Sequence, residues 1–215
     1  MDTTQLTPPL VAILRGLQPA EAEAAGAALF EAGFRLLEVP LNRPGALESI
    51  ALLARMAPAG AIVGGGTMLS VADVDAVHAA GGRMLVAPNC NTQVIARAAA
   101  LGMLCAPGVA TPSEAFAALG AGADALKIFP AEMVGYAGLK AFKTVLPPAT
   151  PLWPVGGVSP GTMAEWVAAG ATGFGIGGAL YSPGTTPEIL SARAQAFVAA
   201  WHATQHSVPS RKFVE

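Results

Sequence analysis

Charge is scarce in this chain: only 12% of its 215 residues are charged, against roughly a quarter in an average soluble domain. Hydrophobic residues make up 53%, so more surface wants cover than one small domain hides, and a homo-oligomer is expected. The formal net charge is −2 and no basic cluster exceeds the Arg211-Lys212 pair, which removes the electrostatic footprint of a nucleic-acid partner. Two cysteines, Cys90 and Cys105, make neither a C-x-x-C pair nor a disulfide framework, and both are expected as small buried hydrophobes. His78, His202 and His206 have no metal-ligand spacing, and the i, i+4 pair at 202 and 206 is expected to be a fortuitous surface pair. Met1 to Pro9 lacks a positive leader region, and every apolar run is cut by Gly, Pro or charge short of the ~18 residues of a membrane span. A cytoplasmic protein acting on a small molecule is expected.

What is present is alternation. Short apolar runs at Leu10 to Arg15, Leu36 to Leu41, Ala61 to Gly66, Arg83 to Ala87, Met103 to Ala106, Asp124 to Phe129, Leu152 to Val155 and Gly173 to Ile176 read as strands. Between them, Pro19 to Ala32, Pro44 to Met56, Val71 to Ala80, Thr92 to Leu101, Pro112 to Leu119, Ala137 to Leu146, Pro160 to Ala169 and Pro187 to His202 read as helices. Ser70, Thr111 and Ser159 are candidate N-caps, with Pro112 and Pro160 at the first helical position, and Gly33, Gly81, Gly102, Gly120 or Gly122, and Gly170 are candidate stops. Eight βα units predict an α/β fold, a (β/α)8 TIM barrel. A doubly wound open sheet uses the same elements, but Arg15-Gly16-Leu17 stands where a dinucleotide-binding glycine motif would follow the first strand. Residues 1–206 are expected to form one barrel domain, with 207–215 as an appended tail.

Two charges interrupt apolar strands. Lys127, in Leu126-Lys127-Ile128, must point opposite to its neighbours, into the barrel. Desolvation lowers an amine pKa toward the range in which it is nucleophilic and forms Schiff bases. The competing reading is a lysine salt-bridged for stability alone. Glu38, in Leu37-Glu38-Val39, is the carboxylate suited to move protons beside it, or else a structural partner for Arg15 or Lys127. Its charge would raise the lysine pKa while burial lowers it, and the sequence does not say which prevails.

Arg15 ends the first strand, where a guanidinium can clamp a carboxylate, and Thr67 follows the Gly64-Gly65-Gly66 run, either a close approach to ligand or a plain rim turn. The seventh and eighth strands end in Val155-Gly156-Gly157 and Gly177-Gly178-Ala179, each followed by a helical segment. Barrels commonly bind phosphate with these two loops and a helix N-terminus; the bland alternative is tight turning.

Together Ile13-Leu14-Arg15-Gly16, Glu38-Val39-Pro40-Leu41-Asn42, Gly65-Gly66-Thr67, Leu126-Lys127-Ile128-Phe129-Pro130-Ala131 and Val155-Gly156-Gly157-Val158 resemble the class I 2-keto-3-deoxy-6-phosphogluconate and 6-phosphogalactonate aldolases over roughly Leu10 to Trp201. Ala87-Pro88-Asn89, Val155, and Pro40 with Asn42 after Glu38 resemble the 6-phosphogalactonate branch. Gly177-Gly178-Ala179 departs from that branch, which tends to carry a Gly-Ser-Asp there, and reshaped phosphate contacts are expected. The resemblance implies a phosphorylated 2-keto-3-deoxy sugar acid as substrate, pyruvate and glyceraldehyde 3-phosphate as products, a trimer, and neither metal nor cofactor. It implies an imine on Lys127, proton transfer by Glu38, and a pyruvyl carboxylate held by Arg15 and Thr67. Pro88 and Phe129 would wall the pocket, Val155 would lie near C4, and Gly156, Gly157, Gly177 and Gly178 would receive the phosphate. Two rivals stay open: a sugar-phosphate isomerase or epimerase using Lys127 as a proton donor, and a silent sugar-phosphate-binding module.

Overall fold

The structure, a computed structural model, describes residues 7–206. The tail expected at 207–215 and the His206 side chain lie outside the described residues. Among the described residues nine strand segments and eight helices follow one another: β1 (Leu10–Ile13), α1 (Pro19–Glu31), β2 (Leu36–Pro40), α2 (Ala46–Met56), β3 (Ile62–Gly66), α3 (Val71–Ala79), β4 (Met84–Val86) and α4 (Thr92–Ala100). There follow β5 (Leu104–Ala106), β6 (Gly108–Val109), α5 (Pro112–Gly120), β7 (Leu126–Ile128), α6 (Ala131–Val145), β8 (Leu152–Pro154), α7 (Met163–Ala169), β9 (Phe174–Ile176) and α8 (Pro187–His206). No helix among the described residues is long and apolar enough to cross a membrane.

All pairing is parallel, but it does not run as one continuous ring of eight. A six-stranded ladder, β5-β4-β3-β2-β1-β9, curls beside a three-stranded one, β6-β7-β8. The strand predicted at Met103 to Ala106 is β5, and past Pro107, which has no N–H to donate, a further segment β6 pairs into the other ladder. The backbone still links the halves there: Ala125 N–H donates to the Cys105 carbonyl at 3.1 Å and Lys127 N–H to that of Pro107 at 2.9 Å. At the other seam one bridge pairs Val155 with Gly175, and Thr172 N–H donates to Leu152 at 2.9 Å.

Both faces of the sheet are buried, which is why the strands read as unbroken apolar runs. One face packs under the helices, through Leu10, Ala12, Leu37, Val39, Leu126 and Ile128 among others. The concave face carries a separate cluster, Val11, Leu36, Met84, Val86, Leu104, Ala106, Ala125 and Trp153. Period two then places Ile13, Glu38 and Lys127, each two residues beyond a member of that cluster, on the same inner side. Gly173 makes room for the largest of these side chains, since a Cβ there would come within 2.7 Å of Trp153 Nε1.

Local signals hold at most helix ends. Ser70 with Asp73 and Thr111 with Glu114 form complete capping boxes, each worth about 1 kcal/mol. Gly170 caps α7 at φ 113°, a left-handed conformation costly for any side chain. Two expectations are corrected. Ser159 does not cap a helix at Pro160, because Thr162 N–H donates to the Ser159 carbonyl at 3.0 Å in a tight turn, and α7 starts only at Met163. The helix placed from Ala137 begins instead at Ala131, broken at Gly135, where φ is 66° and ψ 174°.

Cys105 is buried as expected, whereas Cys90 is half-buried with its Sγ 3.4 Å from the Glu114 carbonyl; both are free thiols. His78 lies in α3 and His202 in α8. No group of three or more His, Cys, Asp or Glu among the described residues is placed to hold a metal ion.

Candidate active site

Lys127 sits mid-strand in β7, in register with Gly108 of β6 and Trp153 of β8. It is 8% exposed, and its Nζ lies 4.8 Å above the centroid of the Phe129 ring. Burial pushes the amine below its usual pKa; Glu38 opposes that shift, and Arg15 adds to it by disfavouring a second positive charge. The competition left open by the sequence is thus won by desolvation.

Glu38 lies in β2 between Ile13 and Gly64, and it is 1% exposed. Desolvation raises its carboxyl to about 7, against the opposing pull of Lys127 and Arg15. Its Oε2 is buried without a hydrogen-bond partner. An unsatisfied buried carboxylate oxygen is costly for stability alone, and it retains the capacity to accept a hydrogen bond.

The glycine run of β3 explains how such a carboxylate fits. A Cβ on Gly64 would overlap the Met84 carbonyl, one on Gly65 would press on Val77, and one on Gly66 would overlap the Glu38 carboxylate itself. Thr67, next in the chain, is half-buried at φ 54°, rare and strained for a β-branched residue. The run is therefore more than a rim turn. Pro88 stands against β6: a Cβ on Gly108 would sit 2.5 Å from the Pro88 carbonyl, so that glycine lets the loop after β4 approach the Lys127 strand.

Two cavities that share part of their lining lie at Lys127 and beyond it. A small one of about 10 Å³, room for a single water, is lined by Lys127, Val86, Ala106 and Trp153 together with Ile13, Val155 and Gly175. The last three also line a larger cavity of about 610 Å³, within the usual range for small-molecule sites. Its walls include Arg15, Phe129, Gly156, Gly157, Gly177 and Gly178. Ile13, Val155 and Gly175 are thus the throat between the lysine and the outer cavity.

Of the residues singled out in the sequence, Arg15, Phe129, Val155 and the four late glycines share the outer cavity; Lys127 lies beneath it. Glu38, Thr67 and Pro88 are not in its walls. The expected helix N-termini are not beside the glycine loops, since α7 starts at Met163 and α8 at Pro187. Backbone groups and side chains of the loops must therefore meet any anion.

Sequence reasoning missed several residues. Ile13 and Trp153 look like ordinary core residues in one dimension. Tyr181, Ser182 and Ser159 line the outer cavity, and Glu132 packs its carboxylate against Gly156 and Gly157. A hydroxyl cluster after the last strand was the one visible signal, in Tyr181 and Ser182.

Comparison with known proteins agrees with this geometry. Residues 2–191 match the sequence family described as KDPG and KHG aldolase. The chain is 46% identical over 206 residues to a probable 2-dehydro-3-deoxy-6-phosphogalactonate aldolase of Rhizobium meliloti, covering 94% of this chain and 97% of the relative. It is 45% identical to the 2-dehydro-3-deoxy-6-phosphogalactonate aldolase of Escherichia coli, covering 90% and 94%. The solved structure of native KDPGal superposes with a TM-score of 0.92 at 43% identity, covering 94% of this chain and 98% of that one. With a lysine held below its usual pKa on a parallel strand and a family match spanning most of its length, the chain belongs to the KDPG and KHG aldolase family.

Proposed function

We propose that this chain is a class I aldolase that cleaves 2-dehydro-3-deoxy-6-phosphogalactonate into pyruvate and D-glyceraldehyde 3-phosphate, on a closed (β/α)8 barrel. The observation that carries the reading is Lys127 at the bottom of the throat, its amine held down by burial, with the raised carboxyl of Glu38 as its electrostatic partner. The names of the two relatives at 46% and 45% identity support the choice of substrate.

The neutral Lys127 amine adds to the C2 ketone; loss of water leaves an iminium that withdraws electrons from C3. Glu38, ionised, takes the C4 hydroxyl proton directly or through water as the C3–C4 bond breaks. Glyceraldehyde 3-phosphate departs, and the electron pair remains as a pyruvate enamine. Protonation at C3 restores the iminium, and water releases pyruvate and the free amine. Arg15 and Thr67 hold the carboxylate, Pro88 and Phe129 shape the wall, and Gly156, Gly157, Gly177 and Gly178 let the backbone approach the phosphate.

Val155 lines both the cavity at Lys127 and the outer one, and a substrate bound across them would bring C4 past it. The gluconate and galactonate substrates differ in configuration at C4, and a valine offers the C4 hydroxyl no partner. Val155→Thr nearly preserves volume and adds a donor and acceptor. The ratio of kcat/KM values for the two epimers should move toward 6-phosphogluconate by about tenfold, the worth of one hydrogen bond. Wild-type preference for the gluconate epimer would reject the substrate assignment, and an unmoved ratio in the variant would remove Val155 as the discriminator.

A homo-oligomer, the trimer implied by the family resemblance, fits the apolar side chains left exposed, such as Leu47, Leu69, Val71 and Met133. Light scattering at micromolar concentration should give a mass of three chains. A monomer there rejects it.

A further inference from the structure

Apart from Arg15, which holds the substrate carboxylate in the proposed function, the outer cavity is poor in side chains that can hold an anion. Gly156, Gly157, Gly177, Gly178 and Ala179 carry no side-chain donor, and the hydroxyls in its walls belong to Ser159, Tyr181 and Ser182. Their protons are differently committed. Tyr181 donates to Glu21 Oε2 at 3.2 Å. Thr162 donates its hydroxyl proton to the Ser159 carbonyl at 3.1 Å, so in the 3.3 Å contact between the two hydroxyls Ser159 is the donor and its proton faces Thr162.

Ser182 is arranged otherwise. Thr185 Oγ1 accepts the Ser182 N–H at 3.2 Å and stands 3.3 Å from Ser182 Oγ. Among the described residues no carbonyl takes the Thr185 proton, so Thr185 can donate to Ser182 Oγ, the arrangement in which the Ser182 proton is left for the cavity. The turn is braced: Thr185 N–H donates to the Ser182 carbonyl at 3.0 Å, and Pro183 packs on Gly16, its Cγ 3.1 Å from where a Cβ would stand. That contact holds Ser182 on the cavity rim beside the Arg15-Gly16 turn.

We infer that the Ser182 hydroxyl is a side-chain donor to the substrate phosphate, with Thr185 as its positioning residue. A hydroxyl whose oxygen already accepts a hydrogen bond donates more strongly, and a phosphate oxygen is a charged acceptor. The inference rests on the proposed phosphorylated substrate, so its test needs a measurement independent of turnover.

Inorganic phosphate titrated calorimetrically into the full chain provides one. Ser182→Ala should weaken phosphate binding by about tenfold, the worth of one hydrogen bond to a charged group. Thr185→Val should give a smaller loss, and Thr185→Ser should restore it. In kinetics, Ser182→Ala should raise KM for the 6-phosphorylated sugar acid by a similar factor. It should leave KM for the unphosphorylated analogue, and borohydride trapping of pyruvate, unchanged. Equal losses on both substrates, or phosphate binding that is absent or the same in wild type and Ser182→Ala, would overturn the inference. If neither sugar acid is cleaved, the substrate reading fails, and the phosphate titration still decides the role of Ser182.

Discussion

Lys127→Ala should abolish turnover, with kcat reduced roughly 10⁴-fold or more, the scale on which loss of a covalent nucleophile is felt. Pyruvate with borohydride should add one reduced pyruvate to the wild type, read by intact mass, and nothing to the variant. The physical basis is the depressed amine pKa, which comes first from burial and second from Arg15. Lys127→Arg should be as inactive, because a guanidinium stays protonated and adds to no ketone. Lys127→Met keeps most of the stem volume and should melt cooperatively, which separates lost chemistry from lost fold. Labelling that persists in the variants would move the nucleophile elsewhere. Turnover without trapping would favour an isomerase that uses Lys127 only to move protons.

Glu38→Gln should lower kcat by roughly 10²- to 10⁴-fold, the usual worth of a positioned general base. In the wild type, kcat/KM should fall as pH drops through about 7, where the raised carboxyl becomes protonated and can no longer accept the C4 proton. The variant should lack that limb. The same carboxyl carries a stability signature of definite sign. Its folded-state pKa is raised from 4.5 to about 7, so the folded state holds its proton more tightly than the unfolded state does. Stability contributed by the protonated form is full below pH 4.5, is lost as pH rises to about 7, and stays lost above it. At 1.36 kcal/mol per pH unit the loss is roughly 3 kcal/mol, so Glu38→Gln should gain stability over wild type by about that much between pH 4.5 and pH 8. Denaturant titrations at the two pH values measure it. An unchanged difference, together with an acid limb surviving in the variant, would remove Glu38 as the titrating base.

The isolated charges in apolar strands were legible in one dimension because burying them unpaired is expensive, and Lys127 and Glu38 stand where alternation puts them. The late glycine loops were legible in the sequence, and they line the outer cavity, though without the helix N-termini expected after them. The turn tying Ser159 to Thr162 delays α7 to Met163, so no helix N-terminus follows the Gly156-Gly157 loop directly. The segment β6 beyond Pro107 was equally hidden, since two residues after a proline carry no strand pattern of their own.

By itself the sequence determined the βα alternation, the capping boxes, and the two charges on the inner side of the sheet. These follow from local propensity and from a period of two, and neither needs knowledge of distant neighbours. Only the tertiary structure decided the sign of the Lys127 shift, because burial is opposed there by Glu38 of β2 and joined by Arg15 from the turn after β1. It alone set Gly66 against the Glu38 carboxylate, and joined Ile13, Val155 and Gly175 into one throat. Those residues lie on strands far apart in the chain, and the curl of the sheet, not any local preference, brings them within a side chain's length.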